Sequence, residues 1–175
     1  VNLDAFGRWY EQAGTPQITM RRSAGSGPGS LVLALAQHTP ETAAKTPRHA
    51  LPIPIRIAFL DKTGAIVPTK LAEDAPAEHE HVILLAKDRQ DQPIYAANAS
   101  GLTPSILRNF SAPVTIEDDL SRDERCHIMR YDTDLFNRWD NAQTLISDEI
   151  LAVATNPSAP VNVGSIAALA DGFAH

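Results

Sequence analysis

Residues 51–60 read LPIPIRIAFL, and no other stretch limits the fold so tightly. Ile53, Ile55, Ile57 and Phe59 fall on one phase of a two-residue period, with Pro52, Pro54, Arg56 and Ala58 on the other. That alternation makes the segment a strand with one face in a core. Two prolines on the outer phase remove backbone donors, which suits an edge strand or a strand entrance better than a central position. Asp61, Lys62, Thr63 and Gly64 then supply turn chemistry.

Other segments follow the same grammar. Ile18 and Met20 alternate with Thr19 and Arg21, and a glycine-rich loop at 25–29 leads into an apolar run at 31–37, which together predict a hairpin. Further strands are expected at 66–70, 81–86, 106–110 and 114–117. About seven short strands with no helices between them predict a mainly β fold, an immunoglobulin-like antiparallel β-sandwich. The single cysteine, Cys126, excludes an internal disulfide, so the likeness to antibody domains is one of architecture only.

Helices bracket the strands. Leu3, Phe6 and Tyr10 share a helical face, and Gly14 and Pro16 end it. Ser121 with Glu124 three residues on forms a capping box, although the alternation of Cys126, Ile128 and Arg130 would also suit a strand. Asp132 and Asp134 cap a longer helix, whose Leu135, Trp139, Ala142, Ile146 and Ile150 form an apolar stripe that expects a partner surface. The run from Asn156 to Pro160 ends it, and Ile166, Leu169 and Ala170 hint at one more helical turn or two. The expected organisation is a helical lead-in at 1–14, a β-sandwich at 15–118 and the truncated start of a helical domain at 119–175. The chain opens on Val1 with no targeting segment and reads as an excerpt of something longer.

Composition narrows the function classes. The chain has 175 residues, 43% of them apolar, enough to bury about 70% of the unfolded surface. Acidic residues outnumber basic ones by 21 to 15, giving a net charge of −6, and the scattered Lys and Arg residues argue against a nucleic-acid partner. No apolar run approaches the ~20 residues needed to cross a bilayer, so a cytoplasmic location is expected.

Each chemical motif weakens on inspection. Glu78-His79-Glu80-His81 contains zinc-ligand types, but the H-E-x-x-H pattern needs a second histidine where Ile83 stands. On a strand, His79 and His81 would share a face and could hold a metal weakly; a solvated loop-to-strand junction is the plainer reading. Cys126 and His127 are adjacent, which on a helix points them about 100° apart, so a buried structural cysteine is favoured over a nucleophile. The 25–29 loop lacks any phosphate-binding pattern, and the acceptor patterns at Asn98 and Asn109 carry no weight without a secretory context. Trp9 and Trp139 are expected as core or interface anchors. From the residues alone no catalytic, cofactor-binding or metal residue is assigned.

Three stretches carry a resemblance: NLDAFGRWYEQAGTP at the start, NFSAPVTIE at 109–117 and HIMRYDTDLFNRWDNAQTL at 127–145. In order and spacing the chain resembles bacterial aminopeptidase N, the alanyl branch of the zinc-dependent, thermolysin-like metallopeptidases. The resemblance covers both ends and leaves 21–50 and 68–100 without a signature. It implies a parent enzyme that removes N-terminal amino acids from peptides, in which this chain would be the β-sandwich and the beginning of the C-terminal helical domain. The parent's zinc and catalytic residues would lie outside this chain. H-E-x-x-H and G-x-M-E-N are both missing from it, so the chain alone is expected to be inactive. Its expected partners are the parent's catalytic and helical domains, and its expected role is that of a spacer. The competing reading is a free-standing β-sandwich that binds a protein or ligand through an exposed apolar patch.

Overall fold

The computed structural model describes residues 3–27, 29–42, 48–156 and 170–171. Among these, seven strands form two sheets, flanked by three helices. Helix α1 (Leu3–Glu11) leads in, held by Arg8 Nη1 donating to Ala50 O at 2.9 Å and Trp9 Nε1 donating to Pro52 O at 3.3 Å. Gly14, at φ 106°, takes the left-handed turn that ends this segment.

Strands β1 (Gln17–Ala24) and β2 (Ser30–His38) make the expected hairpin, with Gln17 opposite His38. β5 (Arg89–Tyr95) extends it on one side and β7 (Thr115–Glu117) on the other. The second sheet has β3 (Ile53–Leu60) between β4 (Glu80–Leu85) and β6 (Thr103–Ile106). Every ladder is antiparallel except that of β1 with β7, which is parallel. Ile18, Met20, Leu33, Ile53, Ile55, Ile57, Phe59, Leu85 and Ile94 meet between the sheets with no exposed surface. At about 25 cal/mol per Å² of apolar surface removed from water, that interior is the main favourable contribution to the sandwich.

The two prolines mark an entrance and not an edge. β3 is central, but β6 pairs with it only from Ile57 onward. Two residues after Pro54, the amide of Arg56 turns to the Ser111 hydroxyl at 3.0 Å instead of to a strand, so the donor that Pro54 lacks faces a side with no ladder to break. Ala58, expected to face outward, is fully buried.

Two strand expectations need correction, and one further strand is present. The 66–70 segment makes only isolated bridges, Ile66 with Leu60, Thr69 with Glu78 and Lys70 with Tyr95, and Pro68 offers no donor for a ladder. The 106–110 segment is not a strand: β6 ends at Ile106, and a 3₁₀ turn (Arg108–Phe110) follows with Leu107, Asn109 and Phe110 all left-handed. β5 was not expected, because Ile94 is its only buried residue and Pro93 and charged positions mark it as an edge strand.

Helix α2 (Arg122–Tyr131) opens with both arms of the Ser121–Glu124 capping box, which settles the helix-or-strand ambiguity at 126–130. Helix α3 (Leu135–Thr155) is capped by Asp134, which accepts from the Asn137 amide at 2.8 Å, and Asn156 closes it. Met129, Ala142 and Leu145 form a small second cluster between the two helices. Ile166 and Leu169 lie outside the described residues, while Ala170 and Asp171 are helical.

Candidate functional site

The densest polar chemistry lies where the sandwich meets the helices, and Arg108 is its centre. Its side chain is 5% exposed, yet its nitrogens reach three elements. Nε donates to Glu80 of β4 at 2.8 Å. Nη1 donates to Ser105 of β6 at 2.9 Å and to Asp132 at 2.5 Å, and Nη2 donates to Thr133 at 2.9 Å. Ser105 in turn donates to Asp132, whose carboxylate also accepts from the Asp134 amide at 2.9 Å. The other Asp134 oxygen accepts from the left-handed Asn109 amide at 2.8 Å, and Arg56 pairs with Glu80 at 2.8 Å. Burial works against the charged Arg108 guanidinium, but Asp132, Glu80 and Asp134 together outweigh it and the pKa is raised.

A second polar group sits at the other end of α2. Arg22 of β1 donates to Asp119 at 2.7 Å through Nε and to both Glu124 oxygens. Burial pushes the Glu124 carboxyl up, but Arg22 together with the Ser121 amide and hydroxyl brings it down to about 2. Arg125 bridges Asp118 at 2.5 Å and Asn141 at 3.1 Å. Between these groups the 61–64 turn receives α2. The His127 ring lies 2.8 Å from Asp61 O, and a Cβ on Gly64, at φ 88°, would stand 2.3 Å from the Tyr131 Cβ. Gly64 is therefore required twice, by its dihedral and by the approach of the helix.

The structure separates the residues that sequence spacing had paired. His79 is exposed in a bend, whereas His81 is buried in β4 with its Nε2 2.9 Å from Thr69 Oγ1 and 3.0 Å from Thr69 O. Thus His81 is not part of a solvated junction. No three His, Cys, Asp or Glu side chains among the described residues are grouped to hold a metal ion. Cys126 is half-buried against the α2–α3 cluster, and burial pushes its thiol up, away from a nucleophile's range. Gly25 and Gly29 belong to the β1–β2 turn, and a Cβ on Gly29 would meet Ala96 O at 2.6 Å. Asn98 precedes a short 3₁₀ turn, and Asn109 belongs to the clamp just described.

Among the described residues, two apolar faces remain uncovered. Phe6, Trp9 and Tyr10 of α1, with Pro54, Leu84 and Pro113, line a groove of 810 Å³. On α3 the expected stripe splits. Ala142 is buried, Ile146 is partly buried against α2, and Leu135, Trp139 and Ile150 are 76%, 57% and 62% exposed. Asn137, Asn141 and Leu145 are buried in their place. Trp139 is therefore not a core anchor here; at the surface its ring meets that of Phe136 at a tilt, and Phe136 also meets Phe110.

Residues 14–119 match the family described as a domain of unknown function (DUF3458) with an Ig-like fold. The chain belongs to that family. Behind the DUF3458 sandwich, residues 122–174 match its companion DUF3458_C, described as ARM repeats. The chain is 30% identical over 151 residues to aminopeptidase N of Escherichia coli, covering 86% of this chain. It is 35% identical over 163 residues to aminopeptidase N of Caulobacter vibrioides, covering 93%. It spans only 17% of the length of each of these relatives. Among solved structures, Legionella pneumophila aminopeptidase A in complex with aspartic acid has the same fold over 89% of this chain and 16% of its own, with a TM-score of 0.68 at 22% identity. The expected resemblance to bacterial aminopeptidase N and the expected immunoglobulin-like sandwich with its helical flanks both hold.

Proposed function

We propose that this DUF3458 chain is a non-catalytic spacer in a bacterial, zinc-dependent aminopeptidase, joining the catalytic part to the remainder of an ARM-type helical domain. One observation carries the reading: near-complete matches to several aminopeptidases N that take up only 17% of those proteins. The uncovered faces of α1 and α3 support it, since an apolar face of this extent is normally covered by a partner. A helical repeat also buries its apolar side only by stacking on a neighbour. In this account zinc is held elsewhere in the longer polypeptide, where it would polarise the scissile carbonyl and activate water. No step of that chemistry is assigned to residues of this chain. A cytoplasmic location belongs to the same proposal; among the described residues, no helix is long and apolar enough to cross a membrane.

A free-standing binding module is the second reading, favoured by the groove beside Trp9 and Leu84. The test is a paired assay of the 175-residue chain and the whole polypeptide that contains it, for metal content and for hydrolysis of an alanyl chromogenic amide. Turnover and zinc in the whole polypeptide with neither in the chain is the expected result. A whole polypeptide without peptidase activity, or turnover with stoichiometric zinc in the chain alone, would overturn the proposal.

A further inference from the structure

The backbone at the sandwich–helix junction adopts a conformation that Leu107 and Phe110 disfavour. Leu107, Asn109 and Phe110 have φ of 59°, 53° and 51°, and none is glycine. Such a run persists only where the surroundings over-determine it. Here the determinants are polar: Asp134 holds the Asn109 amide, and Arg108, between the left-handed residues, is tied to Glu80, Ser105, Asp132 and Thr133. A guanidinium is a planar fork with fixed donor directions. Acceptors contributed by β4, β6 and the α2–α3 link are satisfied together in one relative placement of sheet and helices. Two apolar surfaces could slide past one another and keep most of their contact; this arrangement could not.

We propose that Arg108 and Asp132 are a positioning pair that sets the angle between the sandwich and the α2–α3 helices. The pair acts on orientation more than on adhesion. Its importance for a peptidase rests on the spacer reading above, because a spacer transmits geometry. The inference itself concerns this chain alone and is tested without any activity, so either claim can fail separately.

The experiment measures the distance between spin labels on cysteines placed at exposed Arg89 of β5 and exposed Asp148 of α3, in a Cys126→Ser background. The unaltered clamp is expected to give one narrow distribution. Replacing the pair with apolar residues, Arg108→Met with Asp132→Leu, removes a buried ion pair that often adds little net stability. That variant is expected to stay folded by circular dichroism while its distance distribution becomes about twice as wide, as orientation specificity is lost. If it does not fold, Arg108→Lys is read in the same way, since it keeps the charge and loses the fork. A folded variant with a distribution as narrow as the parent's overturns the proposal.

Discussion

The sandwich interior and its seam with the helices are built on opposite principles. Between the sheets, Ile53, Ile55, Ile57 and Phe59 face Ile18, Met20 and Leu33, and burial of area does most of the work whichever apolar side chains supply it. At the seam, Arg22, Arg108 and Arg125 meet Glu124, Asp132 and Asp118, and each group must find a particular partner or remain buried at a cost. An apolar interior tolerates repacking; a polar seam tolerates one arrangement. In a molecule proposed to hold two larger parts at a fixed angle, the second property is the one that matters.

The sharpest way to break this contrast is to remove one member of the seam. Arg108→Ala leaves the Asp132 carboxylate buried without its cation and is expected to cost about 3–5 kcal/mol in urea unfolding. That is comparable to the about 3–5 kcal/mol expected for Phe59→Ala in the core. A cost for Arg108→Ala near that of an ordinary surface change would mean the seam is ornamental.

Acid gives a smaller effect confined to the other end of α2. The folded-state pKa of Glu124, about 2, lies below its ordinary 4.5. Its contribution is therefore complete above pH 4.5 and is lost as the pH falls through that value toward 2. Because the carboxylate is partly solvated, about 1 kcal/mol is expected to disappear over this range. Glu124→Gln should flatten that limb of a stability-against-pH curve. An unchanged limb would show that Arg22 does not hold the carboxylate.

Asp140 offers the smallest effect, with the opposite sign. Burial raises its pKa, Arg125 opposes the rise and Asp118 adds to it. A carboxyl raised in the folded state loses stability as the pH climbs through its ordinary 3.8 toward the raised value. Asp140→Asn should therefore stabilise the protein at neutral pH, by no more than about 0.5 kcal/mol after solvent screening. Destabilisation at neutral pH would place Asp140 among the seam's working partners.

What could be read from the sequence follows the same division. The alternation of β3, the β1–β2 hairpin, the lead-in helix and the Ser121 capping box are local patterns, and each appears where local physics puts it. β5 escaped notice because an edge strand buries only Ile94. The 107–110 turn escaped because its cause lies 24 to 28 residues away in Asp132, Asp134 and Glu80. The buried face of α3 was misplaced for a related reason. Asn137 and Asn141 are covered at the junction, where Asp134 and Arg125 bond to them, while Trp139 stays outside. Hydrophobic periodicity finds apolar faces but cannot say which of them a polar seam will cover. A signal for the seam did exist in Asp132, Thr133 and Asp134 beside the helix start, but it looked like capping alone.

A polar seam that tolerates one arrangement requires sandwich and helices to unfold as one cooperative body, and this is tested most directly by unfolding a Trp139→Phe variant in urea with two readouts. Ellipticity at about 222 nm reports mainly α2 and α3, which supply 10 and 21 helical residues against 9 in α1. Emission from Trp9, bonded to Pro52 at the rim of the sandwich, reports the β domain. Coincident transitions with one midpoint are predicted. Loss of helix at lower urea, with Trp9 unmoved, would show two independent parts and contradict the account.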